Sequence, residues 1–207
     1  GQRPIIFYTN GYETKIWEDT FYSSPRRVFF FFSKEELQWL IHKRTTIKDI
    51  RKATINTAIA NRPYQFEAIN RVAETFVTDG ANGLCGNKRR ALLVMATGSG
   101  KTRTAAALVD VLFKNNWVKR VLFLADRNAL VRQAKNNFSE YLPDLSAIDL
   151  TEEKENDTTR LVFSTYPSMM NKIDNIRNAD ERFYGVGHFD LIIVDEAHRS
   201  IYNRYKA

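Results

Sequence analysis

Six consecutive residues have the types and the spacing of a loop that binds phosphate groups. They are Thr97, Gly98, Ser99, Gly100, Lys101 and Thr102. The usual pattern also has an earlier glycine, and here Met95 holds that position. Glycines let the backbone turn tightly and direct its N–H groups at phosphate oxygens, and a following helix adds its positive end. We predict that Lys101 reaches the terminal phosphates and that the Thr102 hydroxyl binds magnesium, against the alternative of a glycine-rich turn with an incidental lysine.

Two adjacent acids could complete such a site. Asp195 and Glu196 directly follow the apolar run Leu191-Ile-Ile-Val194. We predict that Asp195 holds magnesium through water and that Glu196 orients or deprotonates the attacking water. Acids are also common at the start of helices, which is the structural alternative. A strand that runs into paired acids, downstream of a phosphate loop, favours a nucleoside triphosphatase.

From residue 62 onwards, the sequence alternates between short apolar runs and segments with apolar residues at helical spacing. These segments must position the candidate residues. The predicted strands lie at 91–95, 121–125, 161–163 and 190–194, and helices are predicted between them. Strands without polar alternation, separated by helices, indicate an α/β fold with a mainly parallel sheet that helices cover on both faces. The polar stretch 151–159 is predicted to be a surface loop.

The first part of the chain has a different pattern. Asn10-Gly11 between two apolar runs predicts a β-hairpin, and the capping box Ser33-Lys-Glu-Glu36 predicts a helix. We expect three parts: residues 1–32 as the closing strands of a preceding domain, 33–61 as a helical linker and 62–207 as the main α/β lobe. Glu13-Thr-Lys15 has the spelling of half a nuclease site, but residues 1–12 contain no acid, so we interpret it as structural.

Composition narrows the class of protein. The chain has 207 residues, 43% of them hydrophobic, a single cysteine and a formal net charge of +7. No apolar run is long enough to cross a bilayer, and no secretory leader opens the chain, so we expect a cytoplasmic protein without a membrane partner. The positive charge favours polyanions, although a basic enzyme without a nucleic acid partner stays open.

The motifs together carry a resemblance to a known family. Asp195-Glu-Ala-His198 is similar to the DEAH box of superfamily-two helicases and translocases, and Arg62-Pro-Tyr-Gln65 is similar to their Q motif. With Leu124-Ala-Asp-Arg127 and Phe163-Ser-Thr-Tyr166, the set resembles the motor (R) subunit of type I restriction endonucleases over residues 62–207. Ile5 to Gly11 looks like the end of that family's nuclease domain. The implied fold is the first RecA-like motor lobe.

The resemblance also implies ligands and roles. The cofactors would be ATP and Mg²⁺. Gln65 would bind the adenine edge with help from Arg62, whereas Tyr64 would pack near the base or in the core. Arg127, Ser164 and Thr165 would contact the DNA backbone without reading sequence. His198 would couple the nucleotide site to the neighbouring lobe, unless it is an ordinary exposed helix residue. For Asp126, a cap on the following helix is the favoured interpretation.

Partners follow from the same resemblance. They would be double-stranded DNA and the methyltransferase and specificity subunits of a type I restriction complex. We find no Ser-Ala-Thr motif after Ser200, no second lobe with an arginine finger and no nuclease active site. We therefore expect a fragment that hydrolyses ATP negligibly by itself. Two alternatives stay open: another DEAH-type DNA or RNA helicase, and a nucleotide-sensing module without hydrolysis.

Overall fold

A computed structural model describes residues 3–81, 83–174, 176–178, 181–182 and 184–196. The chain forms two compact units. Unit 1 contains residues 1–117 together with 185–188, and unit 2 contains residues 118–184 together with 189–207. The three-part division at residues 32 and 61 stays a prediction.

Unit 1 opens with a three-stranded antiparallel sheet. Its strands, in spatial order, are β1 (Ile6–Thr9), β2 (Thr14–Trp17) and β3 (Arg26–Val28). The predicted hairpin is confirmed, because Gly11 turns the chain with a φ of 88° and the Asn10 side chain accepts the backbone N–H of Glu13 across 2.8 Å. Ile16, Val28 and Phe32 form its small core.

Two helices of unit 1 begin where the sequence predicts. Helix α1 (Lys34–Thr46) follows Ser33, whose hydroxyl accepts the N–H of Glu36, while the Glu36 carboxylate accepts the N–H of Ser33. The capping box is therefore confirmed. A short 3-10 turn covers Ile50–Lys52, and α2 (Pro63–Phe76) starts on its proline.

The segment between α2 and the glycine loop differs from the prediction. β4 (Val77–Gly80) and β5 (Gly83–Gly86) form an antiparallel hairpin that was not predicted. The strand predicted at 91–95 was wrong, because these residues pair with no strand in the described part of the chain. Leu92 and Val94 are 78% and 88% exposed. An apolar run becomes a strand only where a neighbour supplies its backbone hydrogen bonds. Helix α3 (Lys101–Lys114) follows the loop.

Unit 2 is built around a parallel sheet, as the α/β prediction requires. Its strands are β6 (Val121–Ala125), β7 (Ala147–Asp149), β8 (Leu161–Thr165) and β11 (Leu191–Val194), in the spatial order β11-β6-β8-β7. All three pairings are parallel. Helices α4 (Asn128–Tyr141) and α5 (Tyr166–Asp174) pack against this sheet. β9 (Ile176–Asn178) and β10 (Glu181–Arg182) form a separate antiparallel pair.

The core of unit 2 lies on its two central strands. Every residue of β6 and β8 is buried, and the rings of Phe123, Phe138 and Phe163 lie 5.3–5.7 Å apart. β11 lies at an edge, so Ile192 and Val194 are partly exposed. Residues 151–159 form turns and irregular structure, as predicted, but Thr159 is buried rather than on the surface.

No helix in the described part of the chain is long and apolar enough to cross a membrane.

Candidate nucleotide site

The glycine loop of unit 1 adopts a backbone that side chains disfavour. Gly98 and Gly100 have φ of 77° and 86°, in the left-handed region where glycine carries no steric penalty. Gly100 is the residue that caps α3 at its N-terminus. Between the two glycines, the Ser99 N–H donates to the carbonyl oxygen of Ala96 across 3.2 Å. The sequence prediction of a tight turn into a helix is therefore confirmed.

Two side chains of α2 form hydrogen bonds to this loop. The buried amide of Gln65 donates from Nε2 to the carbonyl oxygen of Ser99 across 3.4 Å. The Tyr64 hydroxyl donates to the same oxygen across 2.8 Å. A Cβ added to Gly100 would lie 2.7 Å from Gln65 Nε2, closer than real contacts allow. A larger residue at position 100 would therefore displace the Gln65 amide from its hydrogen bond with the loop.

The Gln65 amide is also engaged on its acceptor side. Its Oε1 accepts the backbone N–H groups of Asn61 and Arg62 at 3.2 and 3.3 Å. Adenine binding by Gln65 and Arg62 stays a prediction. Tyr64 is 43% exposed, so it is not a core residue, and the hydrogen bond that it donates to the loop was not predicted. A tyrosine at the start of a helix does not by itself indicate a hydrogen bond to the glycine loop, so the sequence did not predict this contact.

The remaining loop residues differ in exposure. Thr97 and Gly98 are exposed, whereas Lys101 and Thr102 in the first turn of α3 are half-buried. The Thr104 hydroxyl donates to the carbonyl oxygen of Gly100 across 3.1 Å, which fixes the helix start. Backbone N–H groups at this helix start, beside an ammonium group and a hydroxyl, are a donor set suited to phosphate oxygens.

The two acids lie at the end of β11 in unit 2. The Asp195 N–H donates to the carbonyl oxygen of Leu124 across 2.9 Å, which extends the strand pairing by one residue. Glu196 has a φ of 53°, and its N–H donates to Asp195 Oδ1 across 3.0 Å. A non-glycine residue in this conformation costs on the order of 1–3 kcal/mol, and such strain clusters at functional sites. The acids therefore turn away from the strand rather than begin a regular helix within the described residues.

A tyrosine that the sequence did not single out lies beside these acids. Tyr166 follows β8 directly and is buried. Burial first, and then the carboxylates of Asp195 and Asp126, raise the pKa of Tyr166 well above its ordinary value. The carboxyl ends of β6, β8 and β11 thus bring Asp126, Tyr166 and Asp195 within electrostatic reach of one another. A tyrosine after a strand is too common to signal this in sequence.

The predicted DNA contacts fall into two groups. Arg127 lies at the N-terminus of α4 with 71% of its side chain exposed, 3.6 Å from Asp126. Ser164 and Thr165 are buried, and their hydroxyls donate to the Thr165 carbonyl oxygen and to Ser168 Oγ. Contact of these residues with DNA stays a prediction. The cap predicted at Asp126 was wrong, because Arg127 is the capping residue of α4 and no side chain caps the helix.

Comparison with known proteins identifies the family. Residues 58–207 match the family model described as "Type III restriction enzyme, res subunit". The chain belongs to this restriction-enzyme family. The match covers both the glycine loop of unit 1 and the two acids of unit 2. The predicted resemblance to the R subunit of type I restriction endonucleases, with a superfamily-two helicase region, is confirmed.

Relatives of this restriction-enzyme chain are type I endonuclease subunits. The EcoAI endonuclease subunit of Escherichia coli is 39% identical over 140 residues, which cover 67% of this chain and 16% of the relative. The EcoKI endonuclease subunit of Escherichia coli K12 is 33% identical over 145 residues, which cover 67% of this chain and 11% of the relative. The chain therefore spans about a sixth or less of these relatives.

One solved structure is also similar. A fragment assigned to the HsdR subunit of a type I restriction enzyme from Vibrio vulnificus is 25% identical, with a TM-score of 0.47. The alignment covers 95% of this chain and 34% of that one.

Two candidate groups of the restriction-enzyme chain remain to be placed. His198, predicted to couple the site to a neighbouring lobe, lies outside the described residues. Within the described part of the chain, no three His, Cys, Asp or Glu residues cluster to hold a metal ion. Magnesium binding by Thr102 and Asp195 stays a prediction.

Proposed function

We propose that this chain is part of an ATP-dependent DNA translocase, the first motor lobe of a type I restriction endonuclease R subunit. The observation that carries the proposal is the glycine loop, in which Gly98 and Gly100 adopt left-handed backbone directly before Lys101. Its place inside the restriction-enzyme family match supports a helicase-like role rather than another nucleotide-binding one.

The loop residues would bind the phosphates of ATP. Backbone N–H groups from Thr97 to Gly100 would donate to phosphate oxygens, and the α3 N-terminus would add its partial positive charge. The Ser99 N–H would have to exchange its present hydrogen bond to Ala96 for a phosphate oxygen. Lys101 would neutralise the terminal phosphates. Gln65 and Tyr64 would act by holding the Ser99 carbonyl oxygen, which keeps the loop in its binding conformation. Gln65, assisted by Arg62, would also bind the adenine edge of ATP.

The acids would support hydrolysis. Thr102 and Asp195 would hold Mg²⁺, which would neutralise charge on the nucleotide phosphates when bound. Glu196 would accept the proton of the attacking water. Its positive φ bends the main chain directly after β11. The backbone hydrogen bond from Asp195 to Leu124 holds the main chain at Asp195, from which the carboxylate extends, at the end of β11.

The partners would be DNA and the other subunits of the complex. Arg127, with its exposed guanidinium, would contact the phosphate backbone without reading bases. Ser164 and Thr165 would reach DNA only if the segment after β8 rearranges, because both are buried. Methyltransferase and specificity subunits would supply sequence recognition, and the complex would act in the cytoplasm. Residues 1–32 would close a preceding nuclease-like domain, 33–61 would link it, and 62–207 would form the motor lobe.

The test measures DNA translocation by the full-length protein in its complex. A triplex-forming strand is placed at a distance from the recognition site, and its displacement is followed with and without ATP. We expect ATP-dependent displacement that is lost in Lys101→Ala, while Lys114→Ala at the other end of α3 leaves it unchanged. Displacement without ATP, or in Lys101→Ala at the parent rate, would remove the support for a translocase that uses this loop.

A further inference from the structure

A small cavity in unit 1 has an excess of positive charge on its walls. Its volume is about 90 Å³. The lining side chains include the cations Arg26, Lys43, Arg44 and Arg89 but a single carboxylate, Glu18. Pockets for drug-sized ligands measure about 300–1,000 Å³. The cavity therefore suits a small anion rather than a whole nucleoside.

One wall of the cavity carries a buried donor that the protein does not satisfy. The Arg44 side chain is only 10% exposed, and its Nε donates to Glu18 Oε1 across 2.7 Å. Its Nη2 is buried and has no hydrogen-bond partner among the described residues. Buried donors are nearly always paired, because an unpaired one loses its hydration without compensation. Arg44 therefore presents a donor for which the described residues supply no acceptor.

Two further guanidinium groups face the same space without an ion-paired acid in the described part of the chain. Arg26 lies 5.4 Å from the centroid of the Phe32 ring, and Arg89 lies 3.4 Å from the centroid of Tyr22. Burial, and then the positive charge of Arg89, lower the pKa of Arg26. The two cations therefore destabilise each other, and an anion between them would relieve that repulsion.

The cavity wall that holds Arg89 is rigidly built. The Gly86 N–H donates to the carbonyl oxygen of Phe21 across 2.8 Å. A Cβ added to Gly86 would lie 2.3 Å from Tyr22 Cε1, so only glycine allows the ring to lie against this backbone. The Phe21 ring also meets the Trp117 ring edge-on at 5.4 Å. Tyr22, which carries Arg89 on its face, thus contacts the backbone of Gly86 and meets the Phe21 ring edge-on at 5.0 Å.

We propose that this cavity binds a phosphate group, held by Arg26, Arg44 and Arg89. Phosphate presents several acceptor oxygens around one centre, and the planar fork of arginine matches them. A carboxylate offers two oxygens in one plane and would leave one of the guanidinium groups unpaired. The phosphate could belong to a small free ion or to the backbone of DNA, since Arg89 is exposed at the mouth.

This site is separate from the glycine loop, because none of the residues 97–102 lines the cavity. Its existence does not depend on the proposed translocase function. Phosphate could also bind at the loop, so the test is made in full-length protein that carries Lys101→Ala. Failure of the cavity and failure of the loop then give different results.

The experiment measures binding of inorganic phosphate by calorimetry and by the rise in Tm, with sodium chloride at matched ionic strength as the reference. We expect binding in the Lys101→Ala protein. Adding Arg26→Gln or Arg89→Gln should weaken it by about tenfold or more, the usual effect of losing a charged hydrogen bond. Arg27→Gln is the matched control, because Arg27 is the next residue of β3, pairs with Glu13 and does not line the cavity.

A second measurement identifies the source of the phosphate. If DNA supplies it, Arg26→Gln should lower the salt dependence of DNA binding by roughly one unit of slope relative to Arg27→Gln. If the ligand is a free ion, the two variants should bind DNA alike. The proposal is overturned if phosphate neither binds nor raises Tm, or if both cavity variants respond to phosphate as Arg27→Gln does. Arg89 is exposed, so its variant remains informative even if Arg26→Gln fails to fold.

Discussion

The side-chain amide of Gln65 donates to the carbonyl oxygen of Ser99 across 3.4 Å, while its own oxygen accepts N–H groups from the start of α2. One buried side chain therefore joins the first turn of α2 to the glycine loop. A Cβ added to Gly100 would come too close to the Nε2 atom of this amide unless the amide moved. The conformation of the loop thus depends on a residue more than thirty positions earlier in the sequence.

Gln65→Ala should loosen the loop. Its removal leaves backbone groups without partners, which costs about 1–3 kcal/mol for a buried donor or acceptor. We expect weaker binding of both ATP and GTP from the loosened loop, and a larger loss for ATP from the missing adenine contact, measured by fluorescent nucleotide titration of the full-length protein. Glu67→Ala, on the exposed side of α2, is the control. A loss confined to ATP would show that Gln65 binds the adenine edge but does not support the loop, and equal losses would show the reverse.

Gly100→Ala should destabilise the loop by more than the cost of placing alanine in a left-handed backbone. The Cβ would meet Gln65 Nε2 at 2.7 Å, in addition to the penalty of about 1–2 kcal/mol for a φ of 86°. Gly11→Ala is the matched control, since Gly11 has a φ of 88° and nothing within 4 Å of an added Cβ. We expect a larger fall in Tm and a loss of ATP binding for Gly100→Ala only. Equal effects of both variants on stability would show that the contact with Gln65 is unimportant.

Lys101→Ala should weaken nucleotide binding itself. The variant removes a charged donor from the terminal phosphates, an interaction worth about 1.5–3 kcal/mol, or roughly 10–100-fold in affinity. AMP, which lacks those phosphates, should bind equally to the parent and the variant. Calorimetry with ATP and AMP measures the difference. If ATP affinity were unchanged, Lys101 would not face the phosphates.

Glu196→Gln should retain ATP binding but lose turnover. The amide keeps the size of the side chain and cannot accept a proton, and loss of a general base costs about 10²–10⁴ in rate. Steady-state ATP hydrolysis by the full-length complex with DNA measures the loss, and nucleotide titration checks that binding persists. Glu140→Gln, on the exposed side of α4, is the control for charge. Hydrolysis at the parent rate would exclude Glu196 as the base.

Arg127→Ala should weaken DNA binding equally on unrelated sequences. Loss of one phosphate contact should reduce the salt dependence by roughly one unit of slope. Arg132→Ala on the same helix is the control, because Arg132 pairs with Glu152 and is similarly exposed. Binding is measured on two unrelated duplexes over a series of salt concentrations. A loss on one duplex alone would point to base reading at Arg127.

Local signals in the sequence predicted much of the fold. The capping box at Ser33, the Asn10-Gly11 turn and the glycines before Lys101 act over a few residues, and the structure confirms each. The apolar runs that became β6, β8 and β11 were predicted from a similarly local signal, because strands of a covered parallel sheet are mainly apolar. The motifs of the glycine loop and the paired acids also predicted the family.

The tertiary structure decided what depends on distant partners. Residues 91–95 are as apolar as β6 but pair with no described strand, whereas β7, only Ala147–Asp149, is a strand because β8 lies beside it. Burial of Ser164 likewise follows from neighbours on both sides of β8, which the residue type does not reveal.

The candidate sites also show which features the sequence determines and which depend on the tertiary structure. The sequence by itself determined which chemical groups are present and in what order. Only the tertiary structure decided that Gln65 and Tyr64 meet at the Ser99 carbonyl oxygen, and that Arg26, Arg44 and Arg89 surround one cavity. The physical reason is that hydrogen bonds, burial and charge repulsion act through distance in space, and spacing along the chain fixes that distance only within a turn or a single helix or strand.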